Sequence, residues 1–409
     1  MRFFFSLSIV FLLFSCSEKK TKISFNDLVT DYIQKSERFD LKDYPFDYQD
    51  YFKSIPTLDS VYLHASYYKN VKSQLSKIDC QGLRIPQQLV YDRLNFQLEI
   101  QIRRTTHLKA FHDSWGLKAL PDEGIGVFDF GRDWYRFRLE ELGGKVDRNW
   151  EGVFADANLQ INQCKEEKMK LVEDLQLENL MQLGRYFKKK NFPMSDSLVR
   201  SHTVDLKYNA IVGKLPSSFS NRKIEPSAIH FLKDKPKLKR AEIEPIILKG
   251  IIPGALFFRD NQPKEFNQYP IGTDVPFIKG WSAYAQGLGK ELGLYQDSLA
   301  IYTYWDQRNI RLAKMVVDLG VNYFEWSDEK VADFWVTAVK EHPQHWKKLK
   351  QEVVEAPGIY ISEGLVEMDL YRLRDHFMVR DENPSHKKFH DRVLSLGALP
   401  TQVLEKNMF

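Results

Sequence analysis

The amino-acid sequence predicts a mostly α-helical protein that folds as a single large domain with a few short strands. Apolar residues recur at helical spacing through most of the chain, and only short turn-rich stretches interrupt them. Of the 409 residues, 43% are hydrophobic and 13% are aromatic, which is ample for a large core. No internal repeat and no long linker forces a domain boundary, so we expect one helical domain over residues 24–409.

The first two predicted helices begin at residues suited to a helix start. Ser24 can cap the first helix, and Pro86 stands at the start of the second, where proline is tolerated. Their apolar stripes are Phe25, Leu28, Val29, Tyr32 and Ile33, and then Val90, Leu94, Leu98 and Ile102.

Helical stripes continue toward the C-terminus. They span residues 156–186, 281–320, 328–352 and 361–377, with turn-rich sequence at 120–126, 142–147 and 258–270. A short extended piece is predicted at Ser227–Leu232.

The N-terminal residues have the composition of an export signal. Arg2 precedes twelve mostly apolar residues, Phe3–Phe14, a run too short to span a bilayer. The sequence up to Cys16 resembles a bacterial lipobox, which predicts a lipoprotein signal peptide over residues 1–16 and a polar tether over 17–23. Lipid on Cys16 would hold the domain to a membrane of the bacterial cell envelope, on the periplasmic face or at the cell surface. An ordinary cleaved signal with an incidental cysteine is the alternative.

The net charge of +4 is too small and too evenly spread to indicate a nucleic-acid partner. Basic clusters do occur at Lys188–Lys190 and in the alternating series Lys233, Lys235, Lys237 and Lys239. Solvated faces are the ordinary explanation of such clusters, and attraction to an anionic lipid or polymer is the other.

Motifs of common functional sites give little information about the function of this sequence. An oxidising envelope would permit a disulfide between Cys80 and Cys164, but their spacing is not diagnostic. Gly124-Ile125-Gly126 lacks the third glycine of a dinucleotide site, so a loop is predicted there. His386 and His390 stand one helical turn apart without a third ligand, and His342 and His345 are weaker candidates still. We therefore expect exposed helix positions for these histidines, and neither a metal nor a cofactor.

The run IILKGIIPGALFF, Ile246–Phe258, is apolar except for Lys249 and carries Pro253-Gly254 where a helix should be under way. Segments after it form a recognisable series: KGWSAYAQGLGKELGLYQDSLA, RLAKMVVDLGVNYFEWS, APGIYISEG and FHDRVLSLGALPTQVLEKNM. In order and spacing they resemble the bacterial domain of unknown function 885 family. A weaker similarity in LPDEGIGVFDFGRDWYRFRLEELGG extends the resemblance to about residues 85–409.

This resemblance implies a helical scaffold similar to that of zinc metallopeptidases, in proteins that are often secreted or lipid-anchored. The family signature reads His-Glu-Ala-x-Pro-Gly-His-His, followed later by Glu-Gly-Trp-Ala-x-Tyr-Ala-Glu. In such a site imidazoles and a carboxylate hold Zn²⁺, and a further glutamate activates the bound water.

When this chain is aligned with the signature on Pro253-Gly254, the metal ligands and the glutamate that activates water are absent. The former metal-motif positions hold Lys249, Gly250, Ala255, Leu256, Lys279 and Gln286. Asn322 replaces a histidine usual after Asp-x-Gly-Ile, and Glu363 replaces a tyrosine. A protonated lysine cannot bind Zn²⁺, and Gly, Ala and Leu offer no donor. The residues retained are Pro253, Gly254, Gly280, Trp281, Tyr284, Asp318, Gly320, Pro357, Gly358, Phe389, His390 and Asp391.

The resemblance therefore favours a non-catalytic relative, without catalytic residues, that binds an unknown ligand or envelope protein partner through the inherited cleft. An enzyme that has rebuilt a zinc-independent hydrolase site there is the alternative, because a lysine in an apolar pocket can become reactive. A third possibility is a cleft that has simply filled in. The candidate cleft residues are Lys249, Lys279, Glu363, Asn322 and Tyr284. We expect Lys249 and Lys279 to face one cavity, with Glu363 as their carboxylate partner.

Overall fold

The structure is a computed structural model that describes residues 24–38, 56–114, 131–222, 229–272, 275–340 and 343–409. The export signal with Cys16, the Gly124–Gly126 loop, the weaker similarity up to Phe130 and His342 lie outside the described residues. The mostly α prediction is confirmed. Within the described ranges, β pairing is limited to an isolated antiparallel bridge between Pro193 and Lys239.

The helices follow one another in this order: α1 (Phe25–Arg38), α2 (Leu58–Leu75), α3 (Ile85–Ser114), α4 (Gly131–Gly143), α5 (Trp150–Asp174), α6 (Leu180–Lys190), α7 (Ser197–Lys214), α8 (Ser217–Ser220), α9 (His230–Lys233), α10 (Ile243–Ile246), α11 (Ala255–Asp260), α12 (Lys264–Gln268), α13 (Val275–Glu291), α14 (Ser298–Asn322), α15 (Asp328–Ala338), α16 (Trp346–Glu355), α17 (Ile361–Arg380), α18 (His386–Leu396) and α19 (Thr401–Met408). Short 3₁₀ turns lie at Arg240–Glu242 and Pro343–His345, and a π-helical turn lies at Ile247–Ile251.

The helices α1, α2 and α3 share an apolar cluster of their own. The Ser24 hydroxyl accepts a hydrogen bond from the Asp27 amide at 3.2 Å, so the predicted cap is present. Pro86 lies in the first turn of α3, as expected. The predicted stripes supply most of the cluster, whose buried members include Leu28, Tyr32 and Leu94.

Two helix pairs form the centre of the larger core. Helix α13 packs along α17, and α5 packs along α14. Gly280 allows the first pair to approach closely, because a Cβ at that position would lie 2.2 Å from Cβ of Val366. This pairing places Lys279 and Gln286 of α13 beside the helix that carries Glu363.

Some local predictions are wrong. The predicted extended piece at Ser227–Leu232 is helical where it is described, since His230–Lys233 forms α9. The turn-rich stretch 258–270 contains the end of α11 and all of α12, because short helices fit between its prolines. The long stripes at 156–186, 281–320 and 328–352 are each two helices, because periodicity does not mark a break between helices that share a core.

Cys80 and Cys164 are both free thiols, and Cys164 is fully buried in the larger core. Burial raises the pKa of the Cys164 thiol, as expected for a cysteine that packs as an apolar side chain. None of the helices in the described ranges is both long and apolar enough to cross a bilayer.

Candidate functional site

The segment around Pro253-Gly254 is a tightly packed connection between two helices. Lys249 lies in the π-helical turn, and the Ile252–Pro253 peptide bond after it is cis. The indole nitrogen of Trp281 donates a hydrogen bond of 2.6 Å to the Pro253 carbonyl. A Cβ at position 254 would lie 2.0 Å from the Lys249 carbonyl oxygen, so only glycine fits there. These retained residues therefore fix the backbone that presents Lys249.

Lys249 forms an ion pair with Glu363. Its Nζ lies 2.5 Å from Glu363 Oε1, which is the partner expected from the sequence. The two side chains are 38% and 29% exposed, so solvent reaches the pair. Other former metal-motif positions share this partial exposure, namely Gly250, Ala255 and Leu256, whereas Phe257 and Phe258 are buried beneath them.

Lys249 is therefore not enclosed by the core. Nothing lies within 4 Å of a Cβ built at Gly250, so this neighbouring position also faces open space. A filled core would have enclosed the lysine.

Arg311 of α14 joins the ion pair to Gln286 of α13. Its NH1 group lies 3.6 Å from Glu363 Oε1 and donates to Gln286 Oε1 at 3.4 Å. Gln286 is fully buried and donates from Nε2 to Gln307 Oε1 at 2.7 Å. Three positions singled out from the sequence, Lys249, Gln286 and Glu363, are thus linked through one arginine.

Beneath this layer lies a buried ion-pair cluster centred on Glu367. Arg308 Nε donates to Glu367 Oε1 at 2.9 Å, and Arg311 Nε donates to Oε2 at 3.0 Å. Burial alone would raise the pKa of the Glu367 carboxyl, but the guanidinium groups of Arg311 and Arg308 outweigh burial and hold that pKa below its usual value. Glu367 is therefore a carboxylate whose charge is fully committed to two arginines.

The connected cluster carries an excess of positive charge. Lys249, Arg308 and Arg311 contribute three positive charges, against two negative charges from Glu363 and Glu367. The partly exposed Lys249 and Glu363 balance each other, so the excess comes from the buried Arg308 and Arg311 against Glu367. The arrangement can attract an anion, and it offers no set of ligands that would hold Zn²⁺.

Tyr284 is not part of this cluster, although the sequence placed it in the cleft. Its side chain is fully buried, with Oη 2.8 Å from His390 Nε2 and accepting from Arg374 at 3.3 Å. Tyr284 stands two positions before Gln286, and this spacing turns its side chain toward a different face of α13. His390 is 2% exposed, so the expectation of an exposed position is wrong for this histidine, whereas His386 is exposed.

Asn322 also lies elsewhere. It is eleven residues after Arg311 on α14, about 16 Å along the helix axis. Its amide nitrogen donates to Asp318 Oδ1 and to the Val353 carbonyl. Asp318 in turn accepts from Tyr135 and from the Gly358 and Tyr360 amides, so this group holds the start of α17. Burial raises the pKa of Asp318 to about 6, despite these hydrogen bonds.

Lys279 lies on α13 immediately before Gly280 and is partly buried. Lys279 stands seven positions before Gln286, so the two residues occupy nearly the same face of the helix, about 10 Å apart along its axis. That placement agrees with a shared cavity for Lys249 and Lys279, which stays a prediction.

The sequence reasoning missed Arg308, Arg311 and Glu367. Two arginines three positions apart on one helix, and two glutamates four positions apart on another, were the available signal. Among the residues that the structure describes, no group of three or more His, Cys, Asp or Glu side chains is placed to hold a metal ion.

Comparison with known proteins gives a family match over the C-terminal part and a shared fold for most of the chain. Residues 255–408 match the family described as "Bacterial protein of unknown function (DUF885)". No curated protein matches the chain significantly.

Two solved structures share the fold. A crystal structure described as that of a candidate lipoprotein from Colwellia psychrerythraea aligns with a TM-score of 0.57 and 15% identity, over 94% of this chain and 73% of that one. A candidate lipoprotein of unknown function from Shewanella oneidensis aligns with a TM-score of 0.52 and 12% identity, over 93% and 80% of the two chains. The helical fold of this protein therefore occurs in proteins of other bacteria, and its C-terminal part carries the sequence pattern of the DUF885 family.

Proposed function

We propose that this protein is a lipid-anchored envelope protein and a non-catalytic relative of zinc-peptidase-like proteins, which binds an anionic group through the cleft at Lys249. The observation that carries the proposal is the Lys249–Glu363 ion pair, which stands at positions where the family signature has a histidine and a tyrosine. Side-chain cations replace the metal cation there. A peptide carboxylate is a ligand of suitable charge, because it can exchange with Glu363 at the lysine and approach Arg311.

The lipid anchor rests on the sequence around Cys16, and two proteins with this fold are described as candidate lipoproteins. Cys16→Ser should release the protein from membranes or block its maturation. Absence of radiolabelled palmitate from the wild-type protein would rule the anchor out.

A pair of variants tests the cleft. A short peptide with a free C-terminal carboxylate should bind the wild-type protein, and Lys249→Ala should weaken that binding by about tenfold, as expected for loss of a charge-assisted hydrogen bond. Glu363→Gln should strengthen binding, because it removes the carboxylate that competes for Lys249. The amidated form of the same peptide and the variant Lys347→Ala on α16 are the controls.

Metal content and hydrolysis decide between the functional classes. Stoichiometric zinc with chelator-sensitive peptide hydrolysis would overturn the proposal. Metal-independent hydrolysis that disappears in both Lys249→Ala and Glu363→Gln would favour a rebuilt hydrolase in the same cleft instead.

A further inference from the structure

Two basic segments that are separated by about forty residues in the sequence lie side by side in the structure. The Met194 amide donates to the Leu238 carbonyl at 3.0 Å, beside the bridge between Pro193 and Lys239. Arg200 of α7 donates to the Lys233 carbonyl at 2.7 Å and to the Met194 carbonyl at 2.8 Å. The end of α6, the start of α7 and residues 230–240 therefore form one continuous region.

This region exposes large apolar side chains. Exposed apolar residues are Phe192 (67%), Leu198 (80%), Val199 (56%), Leu206 (58%) and Phe231 (52%). Val199, Leu206 and Leu198 fall within about 100° of arc on α7, so they share one helix face. Isolated exposed apolar residues are ordinary, but a group of this kind indicates a surface that meets a partner or a membrane.

Exposed lysines lie in the same segments as these apolar side chains. Lys188 and Lys189 are exposed at the end of α6, and Lys235 and Lys237 are exposed in the neighbouring segment. None of these four forms a salt bridge with a carboxylate in the described part of the chain. Nearby acidic groups are mostly committed elsewhere, since Asp196 caps α7 and Asp205 pairs with Lys233, while Asp234 is exposed.

We propose that this basic–apolar face, formed by Lys188, Lys189, Phe192, Leu198, Val199, Leu206, Phe231, Lys235 and Lys237, binds directly to a bilayer that carries anionic phospholipid headgroups. Lysines attract the phosphate groups, and the neighbouring aromatic and aliphatic side chains enter the boundary between headgroups and acyl chains. A second copy of the chain is disfavoured as the occupant, because the unpaired lysines would repel one another across a symmetric contact. The face is independent of the cleft at Lys249 and of any lipid on Cys16.

Lysine acetylation measures this contact in the protein as cells produce it. The protein is mixed with vesicles of phosphatidylethanolamine with phosphatidylglycerol, or of phosphatidylcholine alone, and a water-soluble acetylating reagent is added. Each lysine near an anionic bilayer gains roughly a fivefold factor in association, so four should keep the face docked most of the time. Acetylation of Lys188, Lys189, Lys235 and Lys237 should therefore be at least about tenfold slower on the anionic vesicles. Equal rates on the two kinds of vesicle would overturn the proposal.

Matched controls separate docking from general effects. Lys69 and Lys77 near α2, and Lys347 and Lys348 on α16, are exposed lysines that should react at the same rate on both vesicles. Phe192→Ser with Phe231→Ser should weaken the protection several-fold, whereas Val379→Ser, at a residue 85% exposed on α17, should leave it intact.

The same experiment with a soluble polyanion tests for the other class of partner, a polyanion in solution. If soluble polyphosphate protects the same lysines while anionic vesicles do not, the face binds a soluble polyanion and the membrane proposal is wrong. High salt should remove the protection, because the headgroup attraction is screened over a Debye length.

Discussion

Glu363 and Glu367 stand one helical turn apart on α17, yet their surroundings differ completely. Glu367 is fully buried between Arg308 and Arg311, whereas the side chain of Glu363 is 29% exposed and shared between Lys249 and Arg311. The inner carboxylate stabilises the packing of α14 against α17. The outer carboxylate stands at the solvent edge. A single helix face thus passes from buried to solvent-exposed charge within one turn.

The inner carboxylate should give the largest effect on stability. Glu367→Gln removes the negative charge that compensates two buried guanidinium groups, and breaking a buried ion pair in this way costs about 3–5 kcal/mol in the free energy of unfolding. Urea denaturation measures the loss, with Glu363→Gln as the matched control. A loss below about 1 kcal/mol would mean that water already reaches Arg308 and Arg311.

The contrast repeats on α18, where His390 is buried and His386, one turn away, is exposed. Burial lowers the pKa of His390 to about 3, with Arg374 contributing in the same direction. A folded-state pKa below the unfolded value means that His390 costs no stability above about pH 6.5 and lowers it progressively as the pH falls below 6.5, by about 1.4 kcal/mol per pH unit.

The measurement is the difference in unfolding free energy between the wild type and His390→Gln from pH 7 to pH 5. The variant should lose less stability on acidification, by about 2 kcal/mol over this range. Asp318 acts in the opposite sense, because its raised pKa of about 6 makes the folded state gain stability as the pH falls toward about 4. The pH dependence of the wild-type unfolding free energy alone is therefore not sufficient, and the difference between the two proteins is needed. His386→Gln should run parallel to the wild type, and parallel curves for His390→Gln would contradict the burial of this imidazole.

The outer pair should contribute little to folding. Lys249→Ala and Glu363→Gln should each change the free energy of unfolding by less than about 1 kcal/mol, because a partly exposed ion pair is screened by solvent. Thermal and urea unfolding of both variants, together with the double variant, gives the coupling between them. A loss near that of Glu367→Gln would place Lys249 among the structural charges and remove the basis for an exchangeable site.

The smallest expected effect tests whether Lys279 shares a cavity with the Lys249–Glu363 pair. If Lys249 and Lys279 face one cavity, their single Ala variants should not be additive in peptide-carboxylate binding, with an interaction energy of at least about 0.5 kcal/mol. Calorimetric titration of the two single variants and the double variant measures it. Strictly additive losses would separate the two lysines into independent sites.

Sequence periodicity was sufficient for α1 and α3, since Ser24, Pro86 and the apolar stripes of these helices lie where they were expected. Periodicity could not reveal the breaks at 175–179, 292–297 and 339–345, because helices on both sides bury the same kind of residue. The Lys249–Glu363 partnership was predictable only through the family resemblance, which brought two distant segments together.

The arginines and Tyr284 show what sequence alone does not contain. Whether Arg308 and Arg311 point outward or inward depends on which face α14 turns to α17, and this is decided by packing across the whole domain. Tyr284 and Asn322 were assigned to the cleft by motif position, but each contacts its own buried network.

The contact between Lys249 and Glu363 joins residues that are 114 positions apart in the chain. A change at either position alone leaves the other charge without its partner, beside an arginine that is itself committed to Glu367. Among related chains, the two positions should therefore change together, with a neutral residue at 249 accompanied by a neutral residue at 363. The pair can then serve as a signature, readable from sequence alone, for relatives that carry the same side-chain ion pair.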